Sequence, residues 1–293
     1  MVKWRGRRES TNVEDARGAA TVAGGGLIIM LLRLIVGRFG IRGIVFLAVG
    51  FFALTAMGVN PMALLSGQSG APPSGQQTAA NDDEYKFVAV ILAETEDTWG
   101  RIFRSAGQQY QAPALKLFTG QVNTACGFAS SASGPFYCPA DQKVYLDTSF
   151  FGELSQRFGA PGDFAGAYVI AHEVGHHVQT ITGTSSEVRQ AQSRASKVDQ
   201  NALQVRMELQ ADCYAGIWAH DARRTDILDP GDIEEGLRAA AAIGDDALQR
   251  QAGRKVQPHT FTHGSSEQRM RWFQTGYSTG DVNRCDTFQT SSL

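Results

Sequence analysis

The sequence predicts a mostly helical α+β domain with a small sheet, standing behind one N-terminal transmembrane helix. Three patterns carry that expectation. Apolar residues recur at three- and four-residue spacing across residues 84–110, 161–183 and 199–219, the period of helices with one buried face. Two short runs, Ala114–Thr119 and Lys143–Asp147, have the length and residue types of strands. A charge-free apolar run, Gly43–Val59, precedes them all. With 293 residues, 43% apolar and 19% charged, the chain can bury a sizeable core, and its net charge of −2 gives no reason to expect a nucleic-acid partner.

Taken in order, Lys3, Arg5, Arg7, Arg8, Arg17, Arg33, Arg38 and Arg42 all precede the long apolar run, opposed only by Glu9, Glu14 and Asp15. Residues 1–40 therefore read as a cytoplasmic basic and juxtamembrane segment, because positive charge is retained on the inner face. Residues 41–60 form the expected transmembrane helix, close to the ~20 residues needed to cross a bilayer. The shorter run Leu27–Val36 is interrupted by Arg33 and reads as interfacial. No Ala-x-Ala site follows the apolar run, so it reads as an uncleaved anchor holding the chain to a lipid bilayer by one helix. Residues 61–83, rich in Ser, Gly, Pro and Gln, have too little apolar surface to fold and read as a flexible linker. Residues 84–293 are then the folded, extracytoplasmic domain.

Within that domain, Phe87, Val88, Ile91, Leu92, Trp99, Ile102 and Phe103 mark the first helix, which Pro113 ends. The two strand signals follow, separated by a Ser/Gly turn region between Cys126 and Cys138. A Cys126–Cys138 bridge would staple that loop, and Cys213 with Cys285 could tie a central helix to the C-terminal tail. Four cysteines allow three connectivities, and an extracytoplasmic address is where such bridges persist. No C-x-x-C occurs, so a cysteine metal site is a poor alternative.

The chemistry concentrates in Ala171-His172-Glu173-Val174-Gly175-His176-His177. Helix positions four apart lie on one face, so His172 and His176 can direct ring nitrogens at one cation, with Glu173 beside them as general base. Two imidazoles and a carboxylate on one turn are the H-E-x-x-H arrangement of zincins. A catalytic zinc needs a third protein ligand and one open position. The helix of residues 199–219 offers Glu208 and Asp212 on one face, within a largely apolar stretch where carboxylates need partners. Glu208 can complete the ligand set, ahead of Glu187 and Asp199, and Asp212 can accept a hydrogen bond from a ligand imidazole and fix its tautomer. The strand Val144-Tyr145-Leu146, just upstream of the H-E-x-x-H helix, is the candidate substrate-binding strand, since zincin substrates add to an edge strand. His177 and His220 read as structural, and His259 has no assigned role.

His172-Glu173-x-x-His176 followed by Glu208-Leu209-Gln210-Ala211-Asp212 resembles the H-E-x-x-H … E-x-x-A-D pattern of gluzincin metallopeptidases. WRGRRESTNVED, TACGFASSASGPFYCPADQKVYLD, AHEVGHHVQ, ELQADCYAG and FTHGSSEQR, spread over nearly the whole chain, resemble the bacterial neutral zinc metallopeptidases, single-pass membrane proteins. Ser265-x-x-Gln268 looks like a capping box opening a last helix, with His263 before it and Arg269 inside it. That segment is similar to the T-H-P … R segment of membrane-linked gluzincins, although Gly264 replaces the proline. The similarity implies that His263 stabilises the oxyanion and that Arg269 orients Glu208 or the substrate.

These readings converge on a zinc metalloendopeptidase holding one Zn²⁺ through His172, His176 and Glu208, with peptide or protein substrates, anchored in a bacterial inner membrane with its N-terminus cytoplasmic. Two alternatives come from other classes. One is a non-catalytic scaffold or chaperone with a structural zinc, which an intact Glu173 disfavours. The other is a zinc amidase acting on a non-protein amide.

Overall fold

The structure, a computed structural model, describes residues 1–17, 82–156, 162–290 and 292–293. The expected transmembrane helix at 41–60, the interfacial run and nearly all of the linker lie outside the described residues. Among the described residues no helix is long and apolar enough to cross a membrane. The chain divides into Ala19–Thr78 and a compact unit made of Met1–Gly18 together with Ala79–Leu293.

That second grouping corrects the expected segment 1–40. Residues 1–17 are part of the folded unit, because they carry both apolar anchors and sheet hydrogen bonds. Val2 and Trp4 are buried, and Trp4 packs edge-on against Phe87 with ring centroids 6.1 Å apart. Val13–Asp15 forms β1. Those of the expected signal cations that lie in residues 1–17 are counter-charges for the domain's own acids. Lys3 pairs with Asp226 and Asp229, Arg5 with Asp83, Arg7 with Glu94, Arg8 with Glu96 and Asp97, and Arg17 with Asp15, Asp82 and Glu84.

The first helix, α1 (Asp83–Ser105), is capped by the Asp82 carboxylate, which accepts from the Glu84 amide, and buries Val88, Ile91, Leu92 and Trp99. It stops before the expected residue 110, and Gly107 follows in the left-handed region at φ 72°. β2 (Ala114–Phe118) and β6 (Lys143–Asp147) form where the strand signals stood, flanking the antiparallel hairpin β3 (Gln121–Thr124) and β4 (Gly127–Ser130) and the short β5 (Phe136–Cys138). The main sheet runs β1-β2-β6-β5. β1, β2 and β6 are parallel, with Val13 opposite Leu115 and Leu115 opposite Val144, and β5 is antiparallel, with Tyr137 opposite Val144. Cys126 and Cys138 are bonded, as are Cys213 and Cys285, and no described cysteine is free.

After α2 (Ser149–Gln156) come the helices that build the core: α3 (Asp163–Ile181), α4 (Thr184–Gln192), α5 (Lys197–Arg224), α6 (Asp232–Ala242), α7 (Asp245–Gln251) and α8 (Ser266–Thr279). The Ser265/Gln268 capping box opens α8. Helices α5 and α8 pack backbone against backbone. A Cβ on Gly216 would overlap the Phe273 carbonyl, and one on Gly276 would overlap that of Cys213. Only glycine fits such an approach. Phe164, Tyr168, Trp218 and Phe273 fill the space where α3, α5 and α8 meet.

Candidate metal centre

The centre lies where α3 and α5 cross, and small residues decide how closely they do so. Gly175 of α3 faces Ala211 of α5, and a Cβ on Gly175 would stand 3.1 Å from the Ala211 Cα and carbonyl oxygen. The two backbones therefore nearly touch at the turn that carries His172 and His176 on one side, Glu208 and Asp212 on the other. Burial of the apolar faces of both helices holds them in that register. The start of α3 is fixed from α6, whose Glu235 Oε1 accepts from the Ala165 amide at 2.8 Å.

His172, His176 and Glu208 each present one ligand atom, and those atoms lie within 4.8 Å of one another. Glu208 Oε2 is 3.2 Å from His172 Nε2 and 3.5 Å from His176 Nε2. Every other polar atom of the three is engaged. Asp212 Oδ1 is 2.8 Å from His172 Nδ1, Gln179 Oε1 is 2.9 Å from His176 Nδ1, and Gln204 Nε2 donates to Glu208 Oε1 at 2.9 Å. These outer contacts leave the two Nε2 atoms and Oε2 facing one another. Gln179 is in turn fixed by donating to the Met207 carbonyl and to Gln210 Oε1.

Behind His172 lies a fully buried relay. Arg269 grips Asp212 with Nε to Oδ2 at 2.8 Å and a second nitrogen to Oδ1 at 2.9 Å, and Tyr168 donates its hydroxyl to Oδ1 at 2.5 Å. Burial works against the charged form of Asp212, but Arg269 and His172 outweigh it and hold the carboxyl down at about 2. Burial likewise lowers His172, but Asp212 and Glu208 overcome it and raise the imidazole to about 10. Glu208 is well below the usual carboxylate range, since the two imidazoles outweigh its burial.

The cluster opens on a cleft of about 520 Å³, lined among others by Phe136, Tyr137, Glu173, His263 and Arg269. Glu173 adjoins the ligand histidines in this lining. His263 stands at the rim, its side chain 51% exposed and its Nδ1 3.3 Å from Asp245 Oδ1. The Asp245 carboxylate raises this imidazole above its usual value, against partial burial.

Two expectations need correction. Of the two roles expected for Arg269, the contact with Glu208 is replaced by contacts with Asp212 and Tyr168, because α8 brings it to the far side of His172, while its side chain also lines the cleft where a substrate would lie. Val144, Tyr145 and Leu146 are not an edge: they are buried and paired on both sides, by β2 and by β5. The cleft-lining edge strand is β5, with Phe136 and Tyr137. Local pattern does not distinguish a central from an edge strand, whereas sheet order does. Tyr168, Gln179 and Gln204 went unread, although each stands three or four positions from a ligand on its own helix, the spacing that would have found them. His177 is structural: Gln111's carbonyl is 2.6 Å from Nε2 and the Tyr137 hydroxyl 3.1 Å from Nδ1.

The chain matches the family described as "Putative neutral zinc metallopeptidase" over residues 2–288. It is 48% identical over 299 aligned residues to the uncharacterized protein YpfJ of Escherichia coli (strain K12), covering 99% of this chain and 100% of that one. It is 41% identical over 257 residues to the uncharacterized protein Rv2575 of Mycobacterium tuberculosis (strain H37Rv), covering 81% of this chain and 85% of the relative. No solved structure matches.

Proposed function

The chain belongs to this zinc metallopeptidase family, and on that premise we propose that it is a zinc-dependent endopeptidase working through His172, Glu173, His176 and Glu208. The observation that carries the reading is the donor set. Two imidazole nitrogens and one carboxylate oxygen converge within 4.8 Å, beside a general-base candidate and on an open cleft. That composition fits zinc with a free position, and a closed structural site would lack the opening.

Zinc bound there supplies Lewis acidity, polarising a carbonyl and bringing the acidity of water near neutral pH. Asp212 and Gln179 hold the ligand rings with their Nδ1 protons turned outward, so that both Nε2 lone pairs face the cation. Glu173 takes the proton of the attacking water and delivers it to the leaving amine. His263, whose imidazole the Asp245 carboxylate raises above its ordinary value, donates a ring N–H to the carbonyl oxygen as it gains charge, an interaction worth roughly 3 kcal/mol in comparable sites. An extended peptide adds to the outer edge of β5, which has no partner strand among the described residues. Arg269 acts through Asp212 on His172 and is a positioning residue. The two disulfides support an extracytoplasmic address for the domain.

The test is zinc content and casein or peptide-library hydrolysis for the full chain, wild type beside Glu173→Gln. The variant is expected to retain one zinc and lose hydrolysis by about 100-fold or more, within the roughly 10²–10⁴ range for a general base. A wild type that binds zinc and cleaves no peptide would transfer the site to a structural metal or to a non-peptide amide. A wild type that binds no zinc would overturn the reading.

A further inference from the structure

The cleft beside the metal centre carries a cation that takes no part in the proposed hydrolysis. Of the two arginines in its lining, Arg269 is buried and held by Asp212, whereas Arg189 is exposed and has no hydrogen-bond or ion-pair partner among the described residues. Its own helix offers none. The residues three and four positions away on either side are Ser185, Ser186, Gln192 and Ser193, and none is acidic. The acids in the cleft lining are Glu173 and Glu208, the proposed general base and ligand.

Arg189 stands on a fixed wall, because α4 is tied at both ends to the helices that carry the ligands. Near its start Ser185 is buried, its Oγ 3.3 Å from Thr180 Oγ1, and Thr180 donates to the His176 carbonyl at 3.1 Å. At its end Gln192 donates to the Gln200 carbonyl at 3.1 Å and to Gln204 Oε1 at 3.4 Å, and Gln204 donates to Glu208 Oε1 at 2.9 Å. Val188, between these two ties, is buried. The cleft adjoins a second hollow of about 360 Å³, which shares Gln192 and Gln204 with it and adds Lys197. Lys197 also lacks an ion-pair partner among the described residues, and no acid lines this hollow. A surface arginine without a partner is ordinary. This one is informative because it lines the cleft that would receive a substrate, with a second unpaired cation beyond it and no acid to neutralise either. Cations of one sign along a cleft concentrate ligands of the other.

On the endopeptidase reading, we propose that Arg189, with Lys197 beyond it, selects substrates that carry Asp or Glu side chains about two to four residues from the scissile bond. The spacing follows from the wall. His176 to Thr180 and Ser185 to Arg189 are one helical turn each, together up to ~12 Å of rise, and an extended peptide advances ~3.3 Å per residue. A carboxylate accepts two parallel hydrogen bonds from a guanidinium, so an acidic side chain gains both charge and geometry there.

A peptide series tests this on the zinc-loaded full chain. One parent peptide, taken from casein digestion, carries Glu, Gln or Lys in turn at each position flanking the scissile bond. The readout is the ratio of kcat/KM for each Glu peptide to that for its Gln counterpart, in which any change in metal content or folding cancels. The wild type should prefer Glu by about threefold to tenfold at one or two positions, and by less as salt is raised. Arg189→Ala should bring that ratio close to one, and Arg189→Glu should turn the preference toward Lys at the same position. Binding of the same peptides to Glu173→Gln, followed by fluorescence anisotropy, should show the Glu preference without turnover. Equal cleavage of Glu and Gln peptides by the wild type, or equal binding to Glu173→Gln, would overturn the proposal and leave the endopeptidase reading intact. A Glu preference that survives both Arg189 variants would overturn the assignment to Arg189. A zinc-loaded wild type that cleaves none of casein and the peptides would overturn the endopeptidase reading, and the proposal with it.

Discussion

Opposite charges meet in two regions of this molecule, and the regions are held together for different reasons. In the centre behind His172, Asp212, Arg269 and Tyr168 are almost without solvent exposure, and each polar atom that faces the cluster has a partner. Along the N-terminal strap of residues 1–17 several pairs are wet, with Arg5 and Asp83 67% and 68% exposed and Arg8 and Asp97 49% and 68%, while those of Arg7 and Arg17 are half-buried. Buried charges bind each other because neither can return to water, so the relay fails when one member is removed. Solvated pairs exchange partners with water at little cost, so the strap depends on Trp4 and the β1 ladder, and its charges mainly set register. Similar residue types thus do structural work in one place and decorate it in the other.

The sharpest way to break that comparison is Arg269→Ala, which strands the Asp212 carboxylate in the core. Urea denaturation should show a loss of about 3–5 kcal/mol, together with weaker zinc retention because His172 loses its fixed tautomer. A loss below about 1 kcal/mol would mean that the relay behaves like a surface pair. Trp4→Ala tests the opposite region at its apolar anchor. Removing a buried indole should cost roughly 3–5 kcal/mol and speed proteolysis of the strap before the rest of the domain is cut. Unchanged protease sensitivity would place the strap's stability in its ion pairs instead.

A smaller effect comes from His177, which burial holds below its ordinary value of 6.5 despite the Gln111 carbonyl. Because the folded value is the lower one, the unfolded chain takes up this proton first as pH falls. The stability it contributes is complete above about 6.5 and is lost as pH drops through the folded value. The difference in unfolding free energy between wild type and His177→Gln should therefore shrink as pH falls below that point, and a pH-independent difference would reject burial as the cause. Smallest of all is Arg8→Ala. Its pairs with Glu96 and Asp97 are partly solvated, and the expected loss is under about 1 kcal/mol, declining further with added salt.

How legible these regions were differs just as much. The candidate ligand positions on α3 and α5 could be read because helical spacing alone sets His172 beside His176 and Glu208 beside Asp212. Tyr168, Gln179 and Gln204 obey the same spacing and were within reach of the same rule. β1 was not. Its three residues, Val13-Glu14-Asp15, are mostly charged and too short to show a period, and they became a strand only because Leu115 and Leu117 offered a ladder. The basic lead-in was read as a membrane signal because a cation's partner, whether lipid headgroup or Glu94, is invisible in one dimension.

By itself, then, the sequence determined the local elements and the residues that form the candidate metal centre. It specified a helix carrying His172, Glu173 and His176, a second carrying Glu208 and Asp212, a capping box at Ser265, and strands at residues 114–118 and 143–147. These follow from contacts within a few residues, where periodicity and capping dominate. Tertiary structure alone decided that Gly175 meets Ala211, that Arg269 serves Asp212, that β5 and not β6 is the edge strand beside the cleft, and that residues 1–17 belong to the domain. Each of those is a pairing between distant segments, and its free energy comes from burial and complementarity that exist only once both surfaces are assembled.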